Sequence, residues 1–142
     1  MFRSLLAPLL AILLVTSFLG SSQLAAAEEQ PTTLVVVWSS GDPDVAHRVA
    51  LMYAHAAKTA NWFENVRLII WGPSQRVLVG DKDLKAKIAK MREDGVIVEA
   101  CIACANSFGI AEELRELDLP VKGMGKPLSD YLKDPDCSVI TY

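Results

Sequence analysis

Two rhythms of apolar residues run along this chain. Apolar, β-branched runs occur at Thr33–Trp38, Val66–Trp71 and Val96–Ala100, the first of them continuous. Runs of this length without alternation predict strands covered on both faces, as in a parallel sheet. Between them, apolar residues return at helical spacing. Val45, Val49, Met52, Ala56 and Ala60 predict the buried stripe of a helix over residues 43–60, widened by Ala46, Ala50, Ala54 and Ala57. Asp42 predicts its N-cap, Pro43 its first turn and Asn61 its end. Leu84, Ile88 and Met91 predict a helix over 82–93, capped by Asp81 or Asp83 and closed by Gly95. Ile110, Leu114 and Leu117 predict another over 103–117.

The remaining stretches are shorter. Ser74–Val79 reads equally as an edge strand or a turn of helix, because periodicity does not decide at that length. Leu119-Pro120-Val121 predicts a short extended piece, and residues 127–132 a short helix. Asp134-Pro135-Asp136 predicts a turn that also holds Cys137, before a final edge strand over Ser138–Thr141. Strands alternating with helices predict an α/β fold: a three-layer α/β/α domain with a mainly parallel sheet of about five strands.

The amino-terminal rhythm is of another kind. Arg3 precedes a nearly continuous apolar stretch from Leu5 to Leu19, and Ala25 and Ala27 give a small-x-small pattern. The apolar core is about 15 residues, short of the roughly 20 that a membrane span needs. Residues 1–27 are therefore predicted to be a signal peptide cleaved after Ala27, leaving an α/β domain over 28–142 that is periplasmic or secreted. No stable membrane insertion is expected after cleavage. The formal charge of −3 and the scattered Lys82, Lys85, Lys87, Lys90 and Arg92 give no basic patch, so no nucleic-acid partner is expected.

Candidate chemistry collects at strand ends. Cys101 ends the Val96–Ala100 run, and Cys104 follows one helical turn later. Ligands gather at the carboxyl ends of strands in open α/β sheets. A thiol there also faces the positive end of the next helix, which favours thiolate. Ala105 follows the second cysteine where haem attachment needs histidine, and no second cysteine pair completes a zinc site. Neither a metal nor a cofactor is expected. In an oxidising compartment the pair also fits a disulfide, a thiol–disulfide redox centre or two inert core thiols.

Ser39, Ser40 and Gly41 form the other strand-end loop. Their amides and hydroxyls suit an anionic substrate or sulfur oxyanion, and equally a plain capped turn. No glycine-rich nucleotide pattern is present. Cys137 reads as a partly buried thiol unless the chain end folds back towards Cys101. His47 and His55 read as surface residues unless one reaches Cys101 across the sheet top. Trp38, Trp62 and Trp71 read as packing or interface residues.

These pieces together resemble the DsrE/DsrF-like family, which includes sulfur-relay proteins. The resemblance covers Thr33 to Tyr142. It rests on Ser39-Ser40-Gly41-Asp42, the alanine-rich first helix, Ile70-Trp71-Gly72-Pro73, and Gly95 through Cys101 followed by Gly109-Ile110. It implies small α/β/α subunits that assemble as homotrimers, homohexamers or mixed hexamers. It further implies that Cys101 carries a persulfide. The expected function is an exported sulfur carrier or sulfurtransferase, with a sulfane donor and an acceptor as partners and Cys104 releasing sulfur or tuning Cys101. The alternatives are a thiol–disulfide redox protein using the same pair and a non-enzymatic oligomeric binding module.

Overall fold

Five β-rich runs pair into one sheet. In the computed structural model, residues 30–142 are described. The predicted signal peptide over 1–27, with its cleavage after Ala27, lies outside the described residues. The strands are β1 (Thr33–Trp38), β2 (Asn65–Ile70), β3 (Ile97–Cys101), β4 (Val121–Lys122) and β5 (Cys137–Thr141). Their order is β4-β3-β2-β1-β5, and every pair is parallel. The α/β prediction stands, with a wholly parallel sheet.

Order and handedness decide where the helices go. From β1 to β4 the chain steps in one direction, so right-handed crossovers place their helices on one face. The return from β4 to β5 crosses the whole sheet and places its helix on the other. The side chains agree. Leu34, Val36, Trp38, Leu68, Ile70, Val98 and Ala100 join the core under the first set of helices. Val35, Val37, Ile69 and Cys101 join Met124, Leu128 and Tyr131 on the opposite face. Leu68 and Ile70 are fully buried. Each such side chain contributes about 1.5–3 kcal/mol relative to exposure.

The first helix, α1, runs Pro43–Val45, widens through a π turn at Ala46–Ala50, and continues as Leu51–Thr59. Asp42 caps it by accepting the Asp44 N–H at 2.8 Å, and Asn61 closes it with φ 54°. Its buried face keeps the predicted Ala46, Ala50, Ala54 and Ala57 but not the larger Val49 and Met52 of the predicted stripe. Ala46, Ala50, Leu51, Ala54 and Ala57 face the sheet, while Val49 and Met52 are 38% and 57% exposed. The small side chains let the helix axis approach the sheet closely, and the π turn shifts the face by about one residue. The larger residues are left outward.

Ser74–Gly80 is helical, which settles the open stretch; this is α2. Next comes α3 (Lys82–Glu93), with Asp81 accepting the Asp83 and Leu84 N–H groups and Leu84, Ile88 and Met91 buried, as predicted. The helix predicted over 103–117 is two: α4 (Ile102–Phe108) and α5 (Ala111–Glu116). Gly109 separates them with φ 70°, a left-handed conformation that glycine enters without a Cβ clash. Finally α6 (Gly125–Tyr131) begins two residues before the predicted start. Cys137 belongs to β5 rather than to the preceding turn.

Candidate functional site

The carboxyl ends of β1, β2 and β3 are tied together by two adjacent side chains of α2. Buried Ser74 donates its hydroxyl to the Trp38 carbonyl at 2.7 Å and accepts the Trp71 N–H at 3.1 Å. That joins β1 to β2. Gln75, also fully buried, donates its amide N–H groups to the carbonyls of Ile70 at 3.0 Å and Cys101 at 2.9 Å. That joins β2 to β3. The sequence reading did not single out Ser74, Gln75 or Glu99. The available signal was two polar residues immediately after a Gly-Pro strand end, in a segment that must cover the sheet.

Cys101 is both the last residue of β3 and the N-cap of α4. It is 3% exposed and packs with Val35, Val37, Ile69 and Met124. Burial alone pushes its thiol up. The N–H groups of Cys104, Met124 and Ala103, helped by the Cys104 thiol, outweigh burial and bring it below the ordinary thiol value. An anion here is held by backbone dipoles fixed before it forms, the arrangement that suits a sulfur nucleophile. Cys104 responds in the opposite sense. Burial raises it, the Gly72 N–H opposes the rise, and the neighbouring Cys101 sulfur adds to it. The surroundings therefore favour ionisation of Cys101 ahead of Cys104. Both cysteines are free thiols in the structure.

Two residues before Cys101, on the same sheet face, Glu99 has a side chain only 5% exposed. Lys122 reaches it at 2.6 Å and Arg67 at 3.4 Å. Lys122 is also the register partner of Cys101. Arg67 in turn stacks on the Tyr131 ring at 5.4 Å. The buried carboxylate thus has two cations, as burial of a charge requires.

The other predicted residues fall elsewhere. The Ser39 N–H, the Ser39 hydroxyl and the Ser40 N–H all donate to the Tyr142 carbonyl, at 2.7, 3.0 and 3.1 Å. Gly41 lines an open cleft of about 310 Å³ with Pro73, Arg76 and Val77. The Arg76 guanidinium lies over the Phe108 ring at 4.7 Å, on the same helix as Cys104. His47 pairs with Asp81 at 3.0 Å, and His55 with Asp94 and Lys87, each at 2.7 Å. Neither histidine joins the cysteines. Cys137 starts β5 beside Thr33, at the amino end of the sheet, so the chain end does not bring it to Cys101. Trp38 is buried and Trp62 is 60% exposed. Among the described residues no cluster of His, Cys, Asp and Glu is arranged to hold a metal ion, and no helix is long and apolar enough to cross a membrane.

Comparison with known proteins matches this arrangement. The model of the DsrE/DsrF-like family matches residues 33–141, from the first residue of β1 to the last of β5. The chain belongs to the DsrE/DsrF-like family. This family is generally linked to sulfur relay. No curated protein matches the sequence. Among solved structures, the chain is similar to the conserved protein of unknown function BT1422 from Bacteroides thetaiotaomicron. The identity is 29% and the TM-score 0.73, over 78% of this chain and 95% of that one. It also shares its fold with the YchN protein from E. coli, at 18% identity and TM-score 0.57, over 80% of this chain and 100% of that one. The DsrE-like fold thus places the Cys101–Cys104 pair at the carboxyl end of a central strand.

Proposed function

We propose that this DsrE/DsrF-like protein is an exported sulfur carrier in which Cys101 takes up sulfane sulfur as a persulfide and passes it to a partner. One observation carries the reading: a buried strand-end thiol met by three backbone N–H groups that favour its anion. The Cys101 thiolate attacks the outer sulfur of a persulfide donor. A Cys101 Sγ–S bond forms, the donor S–S bond breaks, and the donor leaves as a thiolate. An acceptor thiolate then attacks the outer sulfur on Cys101, takes it, and returns Cys101 to thiolate. Alternatively Cys104 attacks Cys101 Sγ, which forms the Cys101–Cys104 disulfide and releases hydrosulfide. A dithiol reductant then reopens the pair. The signal-like pattern over residues 1–27 supports export. The family's oligomeric members support self-association as a trimer or hexamer, and the exposed Val49 and Met52, one turn apart on α1, offer apolar surface for it. The cleft lined by Gly41 and Arg76 supports a role for Gly41 in receiving an anionic donor, while Ser39 and Ser40, whose N–H groups are given to the Tyr142 carbonyl, hold the loop in place.

Intact mass after polysulfide treatment tests the reading. The wild type is expected to gain one sulfur atom that a dithiol removes, and Cys101→Ser to gain none. Loading on Cys104 or Cys137 with Cys101 unmodified would contradict it. A reversible loss of two hydrogens with no sulfur gained would favour a thiol–disulfide protein using the same pair.

A further inference from the structure

The β2–β3 ladder stops one residue short of the reactive thiol. Its last register pair is Ile70 with Ala100, and Cys101 pairs only with Lys122 of the two-residue strand β4. The Cys101 carbonyl nevertheless has a firm partner on the β2 side. Gln75 donates to it and to the Ile70 carbonyl from a single amide nitrogen, which spends both of its N–H groups. The side chain replaces the missing ladder bond.

We propose that Gln75 is a positioning residue for Cys101, fixing the peptide that follows the thiol so that the Ala103 and Cys104 N–H groups stay aimed at its sulfur. Three observations support this. First, Cys101 adopts φ −80° and ψ 115°, an extended cap conformation, and the chain becomes helical at the next residue. Its carbonyl is therefore the hinge between strand and helix. A carbonyl free to swing there would rotate the first turn of α4 and carry those N–H groups off the sulfur. Second, Gln75 is fully buried and its Oε1 atom has no hydrogen-bond partner. A buried orphan acceptor is costly, and a side chain used only to fill space would avoid it. The amide is accounted for by the two bonds it donates. Third, α2 itself is anchored one residue earlier by Ser74, which bonds to β1 and β2. Gln75 thus reaches Cys101 from a fixed base. This inference rests on Cys101 being the reactive thiol, and it is independent of which sulfur species Cys101 carries.

The test uses the full chain and follows each cysteine separately, by mass spectrometry, during modification with iodoacetamide across a pH series. Gln75→Met keeps length and burial but removes both donors. The expected result is a Cys101 profile displaced to higher pH, with modification at neutral pH slowed several-fold and Cys137 unchanged. Ile88→Ala, which opens the core away from the strand ends, is expected to leave the Cys101 profile in place. An unchanged Cys101 profile in Gln75→Met, or an equal displacement in Ile88→Ala, would overturn the proposal. Should Gln75→Met not fold, the wild type still decides. The Gln75 side-chain amide resonances are expected to move with the Cys101 titration and to stop moving in Cys101→Ala. Resonances indifferent to that titration overturn the assignment. A Gln75-dependent Cys101 that takes no sulfur from polysulfide keeps Gln75's role and removes the sulfur-carrier reading instead.

Discussion

Cys101 and Cys137 sit at opposite ends of the same parallel sheet, and their surroundings push them in opposite directions. At the carboxyl end of β3, a helix begins immediately after the thiol, and backbone N–H groups converge on it. At the amino end of β5, burial raises Cys137, and the Asp134 carboxylate raises it further by charge and by accepting its S–H. Asp136 adds to this, and Arg67 only partly opposes it. Both thiols are shielded from water to some degree. What separates them is which backbone and side-chain groups each sheet end supplies. A parallel sheet presents helix starts, and so N–H donors, at its carboxyl edge. The loops entering its strands carry no such bias, and here they carry aspartates.

Four changes break or sharpen this contrast, in decreasing order of effect. Leu68→Ala removes a fully buried side chain from the core on the face of the sheet opposite Cys101. It should cost about 2–5 kcal/mol in urea unfolding while leaving the order in which the thiols ionise unchanged. A reordering would mean that global packing, rather than local donors, sets the difference.

The second concerns stability against pH. Cys101 has its folded value below the unfolded one, so the folded state releases that proton more readily. Its contribution is fully present above the ordinary thiol range and is lost as pH falls through the folded value. Cys137 is raised on folding, so its contribution is present below the ordinary range and is lost as pH rises through the folded value. Unfolding free energies of Cys101→Ala and Cys137→Ala, each compared with wild type between neutral and alkaline pH, should diverge with opposite slopes. Parallel slopes would contradict the account.

The third change, Asp134→Asn, keeps the shape and removes the nearer charge. Cys137 modification by iodoacetamide at mildly alkaline pH should speed up several-fold, with Cys101 unaffected. The fourth, Asp136→Asn, should act in the same direction on Cys137 but more weakly, because that carboxylate is fully exposed and already engaged by the Thr32 N–H at 2.9 Å and hydroxyl at 2.8 Å. Added salt should shrink this last effect first.

The strands and α3 were legible because their signals are local. Thr33–Trp38 has no polar break, and Lys82–Glu93 has a cap, a clean stripe and a closing glycine. The Gly109 break was not, since glycine inside an apolar rhythm reads as a tolerated helix residue until the left-handed turn is seen. The face of α1 was read in part: Ala46, Ala50, Ala54 and Ala57 were placed on it, but Val49 and Met52 were placed there too, because the π turn that shifts the helix face has no local sequence signal. Cys101 and Cys104 were found from spacing and a strand end. Ser74 and Gln75 were missed because their partners are carbonyls on other strands, which no local pattern names. Glu99 was missed for a related reason. Its cations come from β2 and β4, distant in sequence and adjacent only in the sheet.

The central claim is that the carboxyl end of this sheet makes one thiol, Cys101, the chain's nucleophile. A residue-resolved pH titration of all three cysteines in the native wild-type protein, read by mass spectrometry with a small alkylating reagent, tests it most directly. Cys101 should ionise first, below the ordinary thiol value, with Cys104 and Cys137 following above it. A profile in which Cys104 or Cys137 ionises before Cys101 would contradict the account.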